Sequence, residues 1–508
     1  MERRPWKRAI LLGISFECLL LLLLLPLPKD SSLYVQAHNF SLYTHYPLLV
    51  GLQVLDGLAL LVPILMVLIW AVTFRVIGRL MHRLADRLGI SRRQKILAAA
   101  SIGCLGLAAI VMAVADSVTA TPRPFIASPE LQSMVGSNTS FAVDLYHKLG
   151  ERPGNVFFSP YSISTALGVV QAGARGQSER EIVSALHLSS GQTNHHQAAG
   201  ELARRLTGVQ RGNRIVMKTA TALWCQQGDP FTSAFLGVAR NDYLATLEQA
   251  NFAHDAESAR RAVNGWIARS TGGRFRELVR AGQFTADTSL VVCNAIYFKG
   301  RWASPFKRGA TTQAPFYLSK DRSVAVPMMK KKANFKTCYL QGVGAKLLEL
   351  PYFGRDLSMI VILPDDVEGL TELESYFTAE NLRGWLKQLD ETSLRETVIE
   401  LPRFSTEQQL DLATWLKALG ITAAFDRETA DFSGIDGKNN LYLSAALHGA
   451  VVEVNEEGTE AAAVTLVHVT ARSMANRFIA DHPFTFLVRD NGSGAILFLG
   501  RLVDPARQ

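Results

Sequence analysis

Residues 451–465 read V-V-E-V-N-E-E-G-T-E-A-A-A-V-T, a stretch with no ordinary place in a folded domain. Strand-like apolar residues at 451–454 run into Gly458 and Thr459, then three alanines, then a β-branched run at 464–470. Past Gly458 the stretch lacks the Asn, Asp, Pro and Gly punctuation of a loop. It also lacks the regular apolar spacing that lets a helix bury one face. Small uncharged residues recur at alternate positions, Thr459, Ala461, Ala463 and Thr465, and in a strand these share one face. The segment is suited to sliding into a sheet as an additional strand that sets only small groups against a packed interior.

Three further motifs accompany it in order: N-V-F-F-S-P-Y-S-I-S-T-A-L at 155–167, N-A-I-Y-F-K-G-R-W at 294–302, and D-H-P-F-T-F-L-V-R-D at 481–490, with the chain closing as L-F-L-G-R-L-V-D-P at 497–505. Together they resemble the serpins, and the resemblance covers roughly residues 134–508. It implies an α+β serpin fold with three β-sheets, eight or nine helices, and an exposed reactive loop above the largest sheet.

Charge bounds what the chain can bind. The net charge of +8 invites a nucleic-acid partner, but 13 Lys+Arg against 6 Asp+Glu lie within residues 1–125. The remainder holds 40 against 39, so no basic face for gripping phosphates is expected and no nucleic acid is assigned as partner. The N-terminal region reads as membrane, with spans at 9–27 (apolar apart from Glu17), 48–77 (interrupted by Asp56) and 96–115, each approaching or exceeding the ~20 residues that cross a bilayer. Arginines and lysines crowd residues 1–8 and 75–95, which by the positive-inside bias places both in the cytoplasm and the C-terminal domain outside. The first span also admits a signal-peptide reading, although 26–32 offers no small-x-small cleavage site. The expected organisation is a membrane region at 1–115, a linker at 116–135 containing Pro122, Pro124 and Pro129, and a serpin domain at 136–508, localised to the cell membrane as a multi-pass protein with the lipid bilayer as one partner.

Within the domain, 155–158 reads as a strand entering a helix at 162–172, with further helices at 179–186, 378–389 and 410–419 and a helical pattern beginning at Ser140. Strands are expected at 288–298, 347–363 and 398–404. The five cysteines are scattered, without metal-ligand spacing, and read as small buried hydrophobes; no metal or cofactor is implied. Sequons stand at Asn39, Asn138 and Asn491.

The resemblance supplies the chemistry. In serpins the loop is bait: a protease cuts one bond, forms its acyl-enzyme, and is carried off as the severed loop enters the main sheet. In the family the cut bond lies sixteen residues past the first hinge Glu and eleven before the Pro of the Pro-Phe pair. Counted from Glu456 and from Pro483, both rulers arrive at Arg472, making Arg472–Ser473 the expected reactive bond and trypsin-like proteases the expected targets. A displacement by one residue would present Ala471 and suit elastase-like enzymes. The hinge comprises Glu456, Gly458, Thr459, Glu460, Ala461, Ala462 and Ala463, with none of the proline or bulk typical of hinges that do not insert. Ser159, Ser162, Asn294 and His448 match the family's polar shutter beneath the sheet, and Trp302 matches the breach where the loop first enters. The expectation is a monomeric, membrane-tethered suicide inhibitor and not an enzyme.

The alternatives open at this stage are a non-inhibitory serpin-fold binder or chaperone, an inhibitor of Arg-specific cysteine proteases, a hydrolase, and a receptor or transporter working through the membrane part. No G-x-S-x-G, H-E-x-x-H or phosphate-cradling loop supports a hydrolase.

Overall fold

The structure is a computed structural model that describes residues 125–188, 192–212, 214–228, 230–456 and 476–507. These residues form one compact unit holding fifteen strands and ten α-helices. Two short strands pair with longer ones to make a six-stranded sheet in the order β1 (Val156–Phe158), β15 (Ile496–Leu502), β14 (Phe484–Asp490), β9 (Leu357–Pro364), β8 (Ala345–Pro351), β7 (Thr337–Leu340). A four-stranded sheet runs β13 (Asn476–Ile479), β10 (Arg395–Pro402), β6 (Arg322–Phe335), β5 (Thr312–Ser319). The third sheet, of five strands, runs β11 (Phe404–Asp411), β12 (Leu443–Val454), β4 (Leu290–Gly300), β2 (Ile215–Gln226), β3 (Thr246–Ala250).

The central strands β4 and β12 are buried on both faces, which explains their near-continuous apolar runs. Alternation along β4 divides the core. Val291, Cys293, Ala295 and Tyr297 face the helix Phe252–Ser270, together with Ala445, Leu447 and Val451 of β12. Leu290, Val292, Ile296 and Phe298 face the other way, with Ala446, Ala450 and Val452. The helix Pro160–Gly173 packs on this second side, contributing Ile163, Leu167 and Val170.

Several sequence expectations are corrected. Among the described residues no helix is long and apolar enough to cross a membrane. The longest, Pro129–Gly150, buries one stripe (Leu131, Phe141, Leu145, Leu149) and turns Asp144 and His147 outward. The spans 9–27, 48–77 and 96–115 lie outside the described residues, and the expected fold class is corrected to the α+β domain, with no membrane helix among its described elements. That same helix begins at Pro129 rather than Ser140, because Ser128 caps it and Leu131 is fully buried. The stretch 347–363 is two strands, broken where Gly354 and Arg355 take positive φ. The stretch 410–419 starts as the end of β11 and turns helical only at Ala413–Ala418. Among the described residues ten α-helices stand where the resemblance implied eight or nine, the ten including single-turn pieces such as Ser433–Asp436. Cys225 and Cys293 are buried hydrophobes, as read, while Cys338 is half-buried.

The six-stranded sheet is close-packed around Gly500, where the edge strand β1 pairs with β15. Phe157 stacks on Phe498 at 5.4 Å and on Phe486 at 5.9 Å, and Gly500 sits between these rings. A Cβ there would come within 2.4 Å of the Val156 carbonyl oxygen, which is backbone and cannot step aside. Gly500→Ala should destabilise the domain by about 1–3 kcal/mol, read as a fall of a few degrees in apparent Tm.

Candidate functional site

β12 and β4 pair in parallel, with Leu447 opposite Cys293, His448 opposite Asn294 and Val452 opposite Phe298. Every other pairing in this sheet is antiparallel, except β2 with β3 at its edge. β12 ends at Val454 and leads directly into the hinge, so the central seam of the sheet adjoins the segment singled out in the sequence.

Four of the expected residues meet at the middle of this seam. Ser159 caps the helix Pro160–Gly173: its Oγ accepts from the Ser162 backbone N–H at 3.1 Å and donates to the Leu497 carbonyl at 2.5 Å. The Ser162 hydroxyl donates to Asn294 Oδ1. The Ser159 backbone N–H donates to His448 Nε2 at 3.1 Å, and His448 Nδ1 lies 3.1 Å from the same Asn294 Oδ1. A backbone N–H can only donate, so Nε2 accepts and the proton of the neutral ring sits on Nδ1, pointing at Asn294. Asn294 Nδ2 completes the cluster by donating to Thr221 Oγ1 of β2 at 2.8 Å. Thr221 stands directly opposite Asn294 in the register, and sequence reading missed it. One of two threonines in a strand that also carries Lys218 is a weak signal until pairing is known.

This cluster joins four strands, β2, β4, β12 and β15, to a helix, and it is buried. Ser159 and His448 have no exposure, Ser162 1 % and Asn294 2 %. Burial drives the His448 pKa down to about 3. The arrangement is no catalytic dyad, because the Nε2 that would act as base is already occupied by a backbone donor. It is a set of directional bonds across the seam, each able to be exchanged when strands move.

The far end of the seam is pinned differently. Trp302 stacks on Tyr352 at 4.6 Å and 11°, and its indole N–H donates to the Asn455 carbonyl at 2.9 Å. Glu456 is 3 % exposed, receives hydrogen bonds from Arg403 at 2.5 Å and Thr311 at 2.7 Å, and accepts at its carbonyl from Phe306 N–H at 3.0 Å. Burial works to raise the Glu456 pKa, but the Arg403 and Thr311 bonds outweigh it and hold the carboxyl below its ordinary value. Tyr352, Arg403 and Thr311 were not legible in the sequence. Gly458, Thr459, Glu460, Ala461, Ala462, Ala463, Arg472 and Ser473 lie outside the described residues. The chain resumes at β13, parallel to β10.

A five-stranded sheet with a parallel central pair and a polar cluster across that seam agrees with the serpin resemblance of the sequence. The family description "Serpin (serine protease inhibitor)" matches residues 136–505, and the chain belongs to the serpin family. The leukocyte elastase inhibitor of Bos taurus is 39 % identical over 383 residues, covering 74 % of this chain and all of that protein. Serpin B8 of Homo sapiens is 39 % identical over 380 residues with the same coverage. Among solved structures, uncleaved ovalbumin aligns with a TM-score of 0.67 at 29 % identity over 73 % of this chain, and maspin with 0.68 at 28 % over 74 %, each covered completely. The family is described as one of serine protease inhibitors, a class of inhibitors and not of enzymes.

Because the His448 pKa is lowered in the fold, its contribution is present above the unfolded value near 6.5 and is lost as pH falls toward 3. In that window the unfolded chain takes up the proton and the folded one does not. The loss should approach about 1.4 kcal/mol per pH unit. His448→Gln should flatten this part of the acid limb relative to the unsubstituted protein when apparent Tm is followed from pH 7 to pH 4.

Proposed function

We propose that this serpin inhibits trypsin-like serine proteases as a suicide substrate cleaved at Arg472–Ser473, with residues from Thr459 onward entering the five-stranded sheet between β12 and β4. The protease serine Oγ bonds to the Arg472 carbonyl carbon, the Arg472–Ser473 C–N bond breaks, and the protease's general acid protonates the leaving Ser473 amine. Strand insertion then outruns hydrolysis of the acyl bond. One inhibitor engages one protease.

The parallel pairing of β12 and β4 is the observation that carries this reading. A chain leaving the end of β12 and folding back runs antiparallel to β12, and so antiparallel to β4 as well. A strand placed between them replaces one parallel ladder by two antiparallel ones, which are slightly more stable per residue. Residues 459–470 match the 12 residues of β12 and the 11 of β4 in length. One additional ladder at roughly 0.5–1.5 kcal/mol per hydrogen bond amounts to on the order of 10 kcal/mol, enough to drive distortion of an attached protease. Thr459, Ala461 and Ala463 would occupy one face of that strand, where the floor of the seam is already filled. The polar bolt of Ser162, Asn294 and His448 supports the same reading, since it lies across the line where the strands would part.

Arginine before the bond suits a specificity pocket with a carboxylate at its base. A second reading is favoured by one finding, the naming of relatives as leukocyte elastase inhibitors. Displaced by one residue, the bait would present Ala471 to an elastase. The two readings differ in the released peptide, which begins at Ser473 in the first and at Arg472 in the second.

The test is incubation with trypsin and with elastase, followed by denaturing gel electrophoresis and N-terminal sequencing. A gel-stable adduct with trypsin and a peptide starting at Ser473 are expected; cleavage without adduct would remove the inhibitory mechanism. Arg472→Glu should abolish the trypsin adduct, and undiminished trapping would move the bond elsewhere. Thr459→Arg should turn inhibitor into substrate, lowering the trapped fraction by at least about tenfold, because a charge would have to enter a packed interior.

A further inference from the structure

The polar cluster holds the β12–β4 seam on one face of the sheet; the opposite face carries a separate contact that no motif announced. By alternation, Tyr297 of β4 and Glu453 of β12 both lie on the side of the helix Phe252–Ser270. They are diagonal neighbours, since Val451 pairs with Tyr297 and Glu453 is two residues on. The loop that follows this helix sends Arg274 to both. Its guanidinium donates to Glu453 Oε1 at 2.9 Å and to the Tyr297 hydroxyl at 3.1 Å, and its carbon lies 4.7 Å from the centre of the Tyr297 ring.

The loop is itself anchored. Phe275 is fully buried, and its N–H donates to Thr271 Oγ1 at 3.3 Å. Its ring lies so close over Gly449 of β12 that any Cβ there would stand 3.0 Å from it. Arg274 therefore reaches across the seam from a fixed base, near the end of β12 at which the hinge begins.

We infer that Arg274 is a latch across the β12–β4 seam, joining Glu453 to Tyr297, and that its release sets how fast a strand can enter. This rests on the insertion reading above and names its regulation. Admitting one strand widens the separation of β12 and β4 from about 4.8 Å to about 9.6 Å. One guanidinium bonded at 2.9 and 3.1 Å cannot keep both partners across that gap. The latch lies at the entry end, so it opens before the buried His448 cluster is reached. Arg274 and Glu453 are 46 % and 28 % exposed, so the restraint is modest and sensitive to salt.

The test uses the full-length protein and a synthetic peptide with the sequence of residues 459–470, which competes for the slot. Uptake is followed as progressive loss of protease trapping and a rise in apparent Tm. Arg274→Ala and Glu453→Gln should each take up peptide about three- to tenfold faster than the unsubstituted protein. The double variant should be no faster than either single one, as expected for two halves of one contact. About 1 M salt should speed the unsubstituted protein and leave the variants unchanged. Full protease trapping at time zero shows that each variant is folded. Equal uptake by all four proteins, with trapping intact, overturns the latch and leaves the inhibitory reading standing. If the unsubstituted protein neither takes up peptide nor traps protease, the inhibitory reading fails and the latch with it.

Discussion

β12 and β4 run parallel through the middle of a sheet whose other long strands are antiparallel, and the features around them follow from that pairing. Parallel strands joined directly, with a chain leaving the end of one of them, form a ladder that a returning strand could improve upon. A sheet in that condition is stable only if something slows the improvement. The structure supplies restraints on both faces and at the end of the seam: the Ser162–Asn294–His448 bonds below, the Arg274 contact above, and Glu456 held by Arg403 and Thr311 where β12 ends.

The chemistry of the restraints suits a seam that must hold and then give. An apolar seam would re-close on any neighbour of similar shape, since dispersion and burial carry little direction. Hydrogen bonds specify their partners, and in a dry site each unmade bond is costly, so the cluster resists partial opening. His448 serves this purpose as a neutral ring with a fixed tautomer, one nitrogen accepting from backbone and the other donating to Asn294. A charged histidine in that position would have no acceptor for its second proton.

Local features were legible along the chain. A helix was expected at 162–172, and one forms at Pro160–Gly173 with Ser159 as its cap. The apolar runs around Asn294 and His448 are buried strands. The two polar residues within those runs, grouped by the motif resemblance, lie 3.1 Å apart although 154 positions separate them. Local reading failed where a turn interrupts an apolar run, as at Gly354 and Arg355, and where a cap precedes the visible periodicity, as at Ser128. It also failed for helices of a single turn, which have too few residues to show a period.

What the sequence determined by itself was therefore composition along the chain: a run of small residues at alternate positions from Thr459 to Thr465, and apolar strands with Asn294 and His448 set within them. Tertiary structure decided which partners those residues meet. Thr221 reaches Asn294 only because β2 and β4 pair in one register, and a slip of one residue would turn it to the other face. Arg274, Glu453 and Tyr297 carry no common signal in the chain; they converge because a loop anchored by Phe275 passes over two strands that happen to be neighbours. Side-chain type is written residue by residue, whereas contact across a sheet depends on register and on which strands lie side by side, and these are fixed only when the whole domain has packed.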